Sequence, residues 1–507
     1  MSKHYLEKIL RSRVYDVAME SPLEAATRLS DRLKNHVLLK REDVQEIFSF
    51  KLRGAYNKIF HLSDDEKRKG VIAASAGNHA QGVALAGRKL NIPTTIIMPT
   101  TTPAIKVEMV RRLGGKAILK GDSYDEAKDY ALKLSKDKNL TFIHPFDDPL
   151  VIAGQGTIGM EVLRQHADPI HAVFVPVGGG GLIAGVAAYI KNIRPDIKII
   201  GVEPEDAPTL HAALKCKRRV NLKHVGLFAD GVAVKQIGKE TFKVAKDLVD
   251  EVVLVSTDQM CAAIKDVYYD TRSISEPAGV LAVAGMKKYL QTNPDISKQT
   301  IVGVLTGANI NFDRLRHVAE RAEVGEQREV LLAVEIPEKP GSFLKFCKIL
   351  GRRNVTEFNY RYSDANSAQI FCGIELTGGL EERGSFIKKL GQKGYKVIDM
   401  TDNEMAKLHI RYMVGGHAPQ ALNERLYRFT FPERPGALLD FLSGFTRGWN
   451  ISLFHYRNHG AAYGRVLVGI QLEKTQDKAF RDFLTKLGYR YSEETDNPAY
   501  KLFASGG

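Results

Sequence analysis

The sequence predicts an α/β chain in two parts. The first is a long region built on mostly parallel sheets with helices on both faces. The second is a pair of smaller βαββαβ, ferredoxin-like modules. Three observations carry this. Short, continuously apolar runs alternate with amphipathic ones from Val37 to about Thr306. The 507 residues exceed one ordinary domain. The last third repeats itself at an offset of 94 to 96 residues.

The expected strands are Val71-Ile72-Ala73, Thr95 to Met98, Ala117 to Leu119, Ala172 to Val177, Ile197 to Val202, Val252 to Val255 and Ile301 to Leu305. Amphipathic segments such as Tyr124 to Asp137 and Gln259 to Tyr269 lie between them. Strands apolar at every position belong to sheets covered on both faces. Ligands of such sheets sit beyond the carboxyl ends of the strands. Arg316 to Arg328 is strongly charged and reads as a connector or a surface helix.

Beyond it, Ile336-Pro337-Glu338-Lys339-Pro340-Gly341-Ser342-Phe343-Leu344 matches Phe431-Pro432-Glu433-Arg434-Pro435-Gly436-Ala437-Leu438-Leu439, 95 residues on. Phe358-Asn359-Tyr360-Arg361 matches Phe454-His455-Tyr456-Arg457 at 96, and Thr401-Asp402-Asn403 matches Thr495-Asp496-Asn497 at 94. Each copy reads strand, Pro-Gly turn, helix, strand, strand, helix, strand. Proline just ahead of a helix is where its missing donor does least harm.

Composition is ordinary for a globular protein, with 44% apolar and 26% charged residues. No apolar run reaches the ~18 residues of a membrane span. The start, Met1 to Lys8, has no apolar signal core, and Glu7, Asp16 and Glu20 are unlike a transit peptide. A cytoplasmic protein is expected. The net charge of +14 permits nucleic-acid binding, but basic residues are scattered among acids, as in Asp64-Asp65-Glu66-Lys67-Arg68-Lys69. No nucleic-acid partner is expected. Cys216, Cys261, Cys347 and Cys372 are far apart and form no metal-ligand spacing. They read as reduced, small apolar residues, and no metal is expected.

The chemistry begins at Ser49-Phe50-Lys51-Leu52-Arg53-Gly54-Ala55. A lone lysine is ordinarily a solvated cation. One opening a helix beside an aromatic is a candidate for covalent chemistry, because burial favours the neutral amine. Two further stretches keep it company. Gly178-Gly179-Gly180-Gly181-Leu182 follows a strand and opens a helix, an arrangement that suits a phosphate. It lacks the Gly-Lys-Ser/Thr of a Walker loop. Gly179, Gly181 and Ala184, with Glu203 ending the next strand, also imitate a dinucleotide fingerprint, but that reading leaves Lys51 and Asn78 unexplained. Ser75-Ala76-Gly77-Asn78-His79 opens another helix, where N–H groups and dipole favour an anion. A plain N-cap serine is the alternative.

Together, Ser-Phe-Lys-x-Arg-Gly-Ala, Ser-Ala-Gly-Asn-His-Ala-Gln-Gly and Gly-Gly-Gly-Gly-Leu resemble the fold-type II pyridoxal-phosphate enzymes of the tryptophan-synthase-β type. Among these the chain is most similar to the biosynthetic threonine deaminases (threonine ammonia-lyases). The resemblance covers nearly the whole chain. It implies that Lys51 carries the cofactor's Schiff base and that Asn78 bonds its 3′ oxygen. Gly178, Gly179, Gly180, Gly181 and Leu182 would hold the phosphate, and Thr306 would face the pyridine nitrogen. Phe50 would pack on a cofactor face or in the core. N–H groups of Ser75, Ala76, Gly77, Asn78 and His79 would hold the substrate carboxylate. Glu276-Pro277-Ala278-Gly279 would begin a helix bordering the site or carry no catalytic role.

The resemblance further implies threonine, and also serine, as substrate. The C-terminal pair resembles ACT-like regulatory domains, with isoleucine as inhibitor, valine opposing it, and a homotetramer. The expected division is 1–320 catalytic, 321–328 linker, 329–413 and 423–507 regulatory. Gly341, Leu344, Gly436 and Leu439 are candidate effector contacts. The alternatives are a serine deaminase, a β-replacement enzyme, a pair of ligand-free dimerisation modules after the catalytic part, and an amino-acid sensor without catalysis.

Overall fold

Runs such as Val71-Ile72-Ala73-Ala74 build a layered core because successive side chains point to opposite faces of a strand. Val71 and Ala73 enter one apolar cluster with Val83, Ala84 and Ile96. Ile72 and Ala74 enter another with Ala127 and Ala131. Both faces of the strand are therefore covered, as a continuously apolar run requires.

The structure is a computed structural model. It describes residues 2–337, 346, 349–350, 355–361, 367–376, 378–412, 423–432, 450–457 and 463–504. The chain divides into two compact units, Met1–Val318 and Ala319–Gly507.

The strands of the first unit are β1 (Leu23–Ala25), β2 (His36–Arg41), β3 (Val71–Ala74), β4 (Thr94–Met98), β5 (Lys116–Leu119), β6 (Thr141–Phe142), β7 (Ala172–Pro176), β8 (Lys198–Pro204), β9 (Glu251–Val255) and β10 (Thr300–Leu305). They form a six-stranded sheet, β1-β2-β10-β7-β8-β9, and a four-stranded sheet, β5-β4-β3-β6. Only the short edge strand β1 pairs antiparallel. All seven expected strands are present. The three not foreseen are β1, β6 and β2. The first two are very short, and β2 reads His-Val-Leu-Leu-Lys-Arg, with charges at its buried end. Ser75, Gly178 and Thr306 follow β3, β7 and β10, at carboxyl ends as expected.

In the second unit β11 (Glu329–Pro337), β12 (Val355–Arg361), β13 (Ser367–Glu375) and β14 (Lys396–Asp399) form a sheet in the order β12-β13-β11-β14. Strands β15 (Glu424–Pro432), β16 (Asn450–Arg457), β17 (Tyr463–Gln471) and β18 (Arg490–Glu493) form the same order, β16-β17-β15-β18. Every pairing is antiparallel, the ferredoxin-like plan read from the repeat. Even the register irregularities correspond, at Val355/Glu357 and Ile451/Leu453. Thr401 Oγ1 accepts from Leu331 N, and its counterpart Thr495 Oγ1 accepts from Leu426 N, both at 3.1 Å. The two copies share a buried seam that includes Leu331, Phe371, Met405, Leu426, Leu467 and Tyr500. Gly341, Leu344, Gly436 and Leu439 lie outside the described residues, as does Cys347.

The charged segment forms the helix Arg314–Gly325, which buries Arg314, His317, Arg321 and Val324 while Arg316 and Ala319 stay exposed, and it runs across the division between the two units, as the connector reading has it. Arg321 is buried because Glu404 receives two of its N–H groups, at 3.2 and 2.7 Å. Cys216 is exposed rather than core, whereas Cys261 and Cys372 are buried.

Candidate active site

Lys51 is the first residue of the helix Lys51–Phe60. Its Nζ donates to the backbone oxygen of Pro145 at 3.1 Å and stands 5.2 Å from the centre of the Phe50 ring. Burial pushes the amine down to about 8, against the opposing pull of the Glu276 charge. Phe50 is buried in the apolar cluster around β7 and β10.

A fully buried ion network holds this helix. The Arg53 guanidinium donates to Glu42 at 2.8 Å through Nε and Nη2, and to Glu161 at 2.5 and 3.0 Å. Lys40 pairs with Glu161 at 2.6 Å. Two cations and two carboxylates, all inaccessible to water, balance. A buried charge is tolerable only when paired and hydrogen-bonded in this way. Sequence reading noted Lys40 to Asp43 only as a charged stretch.

The second helix, Asn78–Leu90, begins at Asn78 with Gly77 as its cap. Ser75 is therefore not the N-cap. Its Oγ accepts from Gly77 N at 3.2 Å, while Ser75 N donates to Ile97 O at 3.1 Å. First-turn N–H groups have no intrahelical acceptor, so those of Asn78 and His79 remain for an anion. The His79 ring is not directed at one. Its Nε2 donates to Ile143 O at 2.9 Å, and burial, then the Lys51 charge, push it down to about 3. Ala76 lies in the turn between, and a Cβ at Gly77 would meet nothing within 4 Å.

The glycine loop enters the helix Gly181–Ile193 through Gly180, whose φ is +88°, a left-handed conformation natural to glycine. The carbonyls of Gly178 and Gly179 are tied from behind by the hydroxyls of Thr209 and Thr241, at 2.8 and 2.7 Å. A Cβ on Gly179 would strike the Phe146 ring at 2.2 Å. Leu182 sends its side chain into the core, leaving its N–H for a ligand. Glu203, the acid of the dinucleotide imitation, is consumed elsewhere. It accepts from Leu210 N and His211 N at 2.7 and 2.9 Å, with Thr209 Oγ1 2.8 Å away, and so caps the helix Thr209–Cys216.

Thr306 is buried after β10, with Oγ1 donating to Ala278 O at 3.3 Å. Its backbone oxygen accepts from Phe50 N at 3.3 Å, which joins it to the lysine segment. Glu276 borders the site but does not begin a helix; that helix is Leu281–Thr292. Burial, then the Asp230 charge, push the Glu276 carboxyl up to about 7. Its Oε1 accepts from Asn78 Nδ2 at 2.6 Å.

Sequence reading missed the segment His144 to Asp148, which carries no glycine signature. Pro145 receives the Lys51 amine. His144 Nδ1 accepts from Phe146 N and Asp147 N at 3.3 and 2.8 Å. Asp147 accepts the N–H groups that start the helix Lys239–Leu248. Asp148 caps the helix Pro149–Gln165. The usable signal was Asp148-Pro149, an N-cap acid before proline.

Comparison with known proteins shows the family. The profile described as pyridoxal-phosphate dependent enzyme matches residues 15–307. The chain belongs to this family. The profile of the C-terminal regulatory domain of threonine dehydratase matches residues 320–410 and 415–504. Among relatives, the L-threonine dehydratase biosynthetic IlvA of Burkholderia multivorans is 57% identical over all of both chains. The Escherichia coli protein of that name is 53% identical over 99% of this chain and 97% of its own. The processed form of threonine deaminase isoform 2 from Solanum lycopersicum is 54% identical, with a TM-score of 0.63 over 64% of this chain and 88% of that one. Maize serine racemase is 31% identical, with a TM-score of 0.59 over 62% of this chain and 96% of that one.

The residues fit the cofactor that the family name implies. The amine is buried enough to lose its proton readily, and a glycine loop presents helix-start N–H groups with its carbonyls turned away. The buried hydroxyls of Ser49 and Ser275 have no hydrogen-bond partner among the described residues. Ser49 bridges Gly307, whose oxygen accepts at 3.1 Å from the N–H of Glu276, the residue after Ser275. Among the described residues no cluster of His, Cys, Asp or Glu is placed to hold a metal ion, and no helix is long and apolar enough to cross a membrane.

Proposed function

We propose that the chain dehydrates and deaminates L-threonine to 2-oxobutanoate and ammonia, the first step of isoleucine synthesis. The observation that supports this most is full-length likeness to threonine dehydratases around a half-buried lysine at a helix start. When bound, pyridoxal phosphate supplies a covalent attachment for the substrate amine and an electron sink for the bond broken at Cα.

The chain's own residues do the rest. Within the stretch Ser75 to His79, the N–H groups of Asn78 and His79 hold the substrate carboxylate, with the helix dipole favouring the anion; that of Ser75 is taken by Ile97 O and that of Gly77 by Ser75 Oγ. The Lys51 amine would hold the group covalently and serve as the base that takes the Cα proton. A base with a pKa near 8 can both accept and return that proton near neutrality. The β-hydroxyl then departs as water, and hydrolysis of the released enamine gives the oxo acid. The loop Gly178 to Leu182 would hold the phosphate and Asn78 the 3′ oxygen. Thr306 would set a neutral hydroxyl rather than a carboxylate beside the ring nitrogen, which would leave the group a weaker electron sink and favour elimination. Phe50 packs the wall beside Lys51.

Residues 1–320 form the catalytic part, 321–328 the link, and 329–413 and 423–507 two regulatory domains. Isoleucine inhibits through these domains and valine opposes it, with Gly341, Leu344, Gly436 and Leu439 as candidate contacts. The assembly is a cytoplasmic homotetramer. The test is product identification with L-threonine and with L-serine, each with and without isoleucine. Formation of 2-oxobutanoate, suppressed by isoleucine, supports the reading; no oxo acid from either substrate defeats it.

A further inference from the structure

We propose that Asn309, three residues beyond Thr306, is a positioning residue that fixes which way round the Asn78 amide stands. The proposal rests on the reading above, in which Asn78 faces the cofactor. Its basis is a one-way chain of hydrogen bonds. Asn309 Nδ2 donates to Ile47 O at 2.8 Å and to Asn78 Oδ1 at 2.7 Å. Asn78 Nδ2 donates to Glu276 Oε1 at 2.6 Å.

A backbone oxygen accepts and never donates. Ile47 O therefore requires the nitrogen end of Asn309. That nitrogen requires the oxygen end of Asn78, and the nitrogen end of Asn78 is left for Glu276. One N–H of the Asn78 amide is then spent on the carboxylate, and the second is free to serve a ligand oxygen. With the amide reversed, Asn78 Nδ2 would meet Asn309 Nδ2, donor against donor, and Asn78 Oδ1 would meet the ionised Glu276 carboxylate, acceptor against acceptor. The chain also ties together the segments that build the site. Ile47 precedes Lys51, Asn309 follows Thr306, and Ala308 N donates to Phe48 O at 2.9 Å.

The experiment uses the full chain freed of cofactor and titrated with pyridoxal phosphate, followed by visible absorbance. It compares wild type, Asn309→Ala and Asn309→Asp, with thermal unfolding of each cofactor-free chain alongside. Aspartate matches asparagine in shape but offers only acceptors when ionised. Asn309→Ala removes both bonds that Asn309 donates and leaves the Asn78 amide unfixed, which predicts a roughly tenfold weaker affinity, and setting acceptors against each other predicts a roughly hundredfold loss for Asn309→Asp. A packing role alone gives the opposite order, with the isosteric Asn309→Asp near wild type. That order, or unchanged affinity in both, overturns the proposal. If Asn309→Asp does not fold, Asn309→Ala decides, provided its thermal transition matches wild type: a tenfold loss supports the proposal and no loss overturns it. A wild-type chain that captures the cofactor but leaves threonine untouched would defeat the functional reading without touching this result.

Discussion

At the scale of the residue, Lys51 is set apart by its protonation. Its amine is pushed down to about 8 from the ordinary lysine value of 10.5, first by burial. A lowered lysine pKa means that the neutral, nucleophilic form dominates above about 8 instead of above 10.5. The rate at which the cofactor-free chain captures pyridoxal phosphate should therefore rise with pH and level off above about 8. A rate still climbing steeply at pH 10 would show a solvated lysine. Arg53 anchors the same helix. Arg53→Met would leave Glu42 short of its cation within the core, and breaking a buried pair costs about 3–5 kcal/mol, measurable as a lowered denaturation midpoint. Thr306 governs selectivity more than stability. Thr306→Asp should favour a protonated pyridine and divert some turnovers to pyridoxamine phosphate. An unchanged spectrum and product distribution would remove Thr306 from the site.

At the scale of the element, the lysine helix, the asparagine helix and the glycine loop were legible in the sequence, because each must start with residues that leave backbone donors open. The parallel strands were legible from their apolar runs, since β7 is apolar throughout and β10 from Ile301 to Leu305. What stayed hidden is long-range. Glu276 meets Asn78 across 198 positions and Arg53 meets Glu161 across 108. No local pattern announces a partner that distant. Nor could the segment His144 to Asp148 be read, although it presses Phe146 on the loop and offers Pro145 O to Lys51. Gly179→Ala tests that arrangement. Its Cβ would displace the Phe146 ring and, through it, the acceptor of the Lys51 amine. Pyridoxal phosphate affinity should fall at least ~10-fold, with overpacking costing about 1–3 kcal/mol of stability. Wild-type affinity would mean that ring and loop move independently.

At the scale of the whole molecule, every cofactor motif lies in the unit Met1–Val318, and the duplicated modules lie in Ala319–Gly507. Control of one by the other requires a second ligand that favours one global state. A chain ending near Arg328 should still deaminate threonine but ignore isoleucine, as read from turnover against isoleucine concentration. Equal inhibition of both forms would place the effector site in the catalytic unit. The central claim is narrower: a single lysine at the head of one helix carries threonine dehydration. The most direct measurement is 2-oxobutanoate formation from L-threonine by the pyridoxal-phosphate-loaded full chain and by a folded Lys51→Ala variant. The account predicts steady formation by the first and a loss of at least ~1000-fold in the second, because attachment point and base vanish together. Turnover by Lys51→Ala within tenfold of wild type would contradict it.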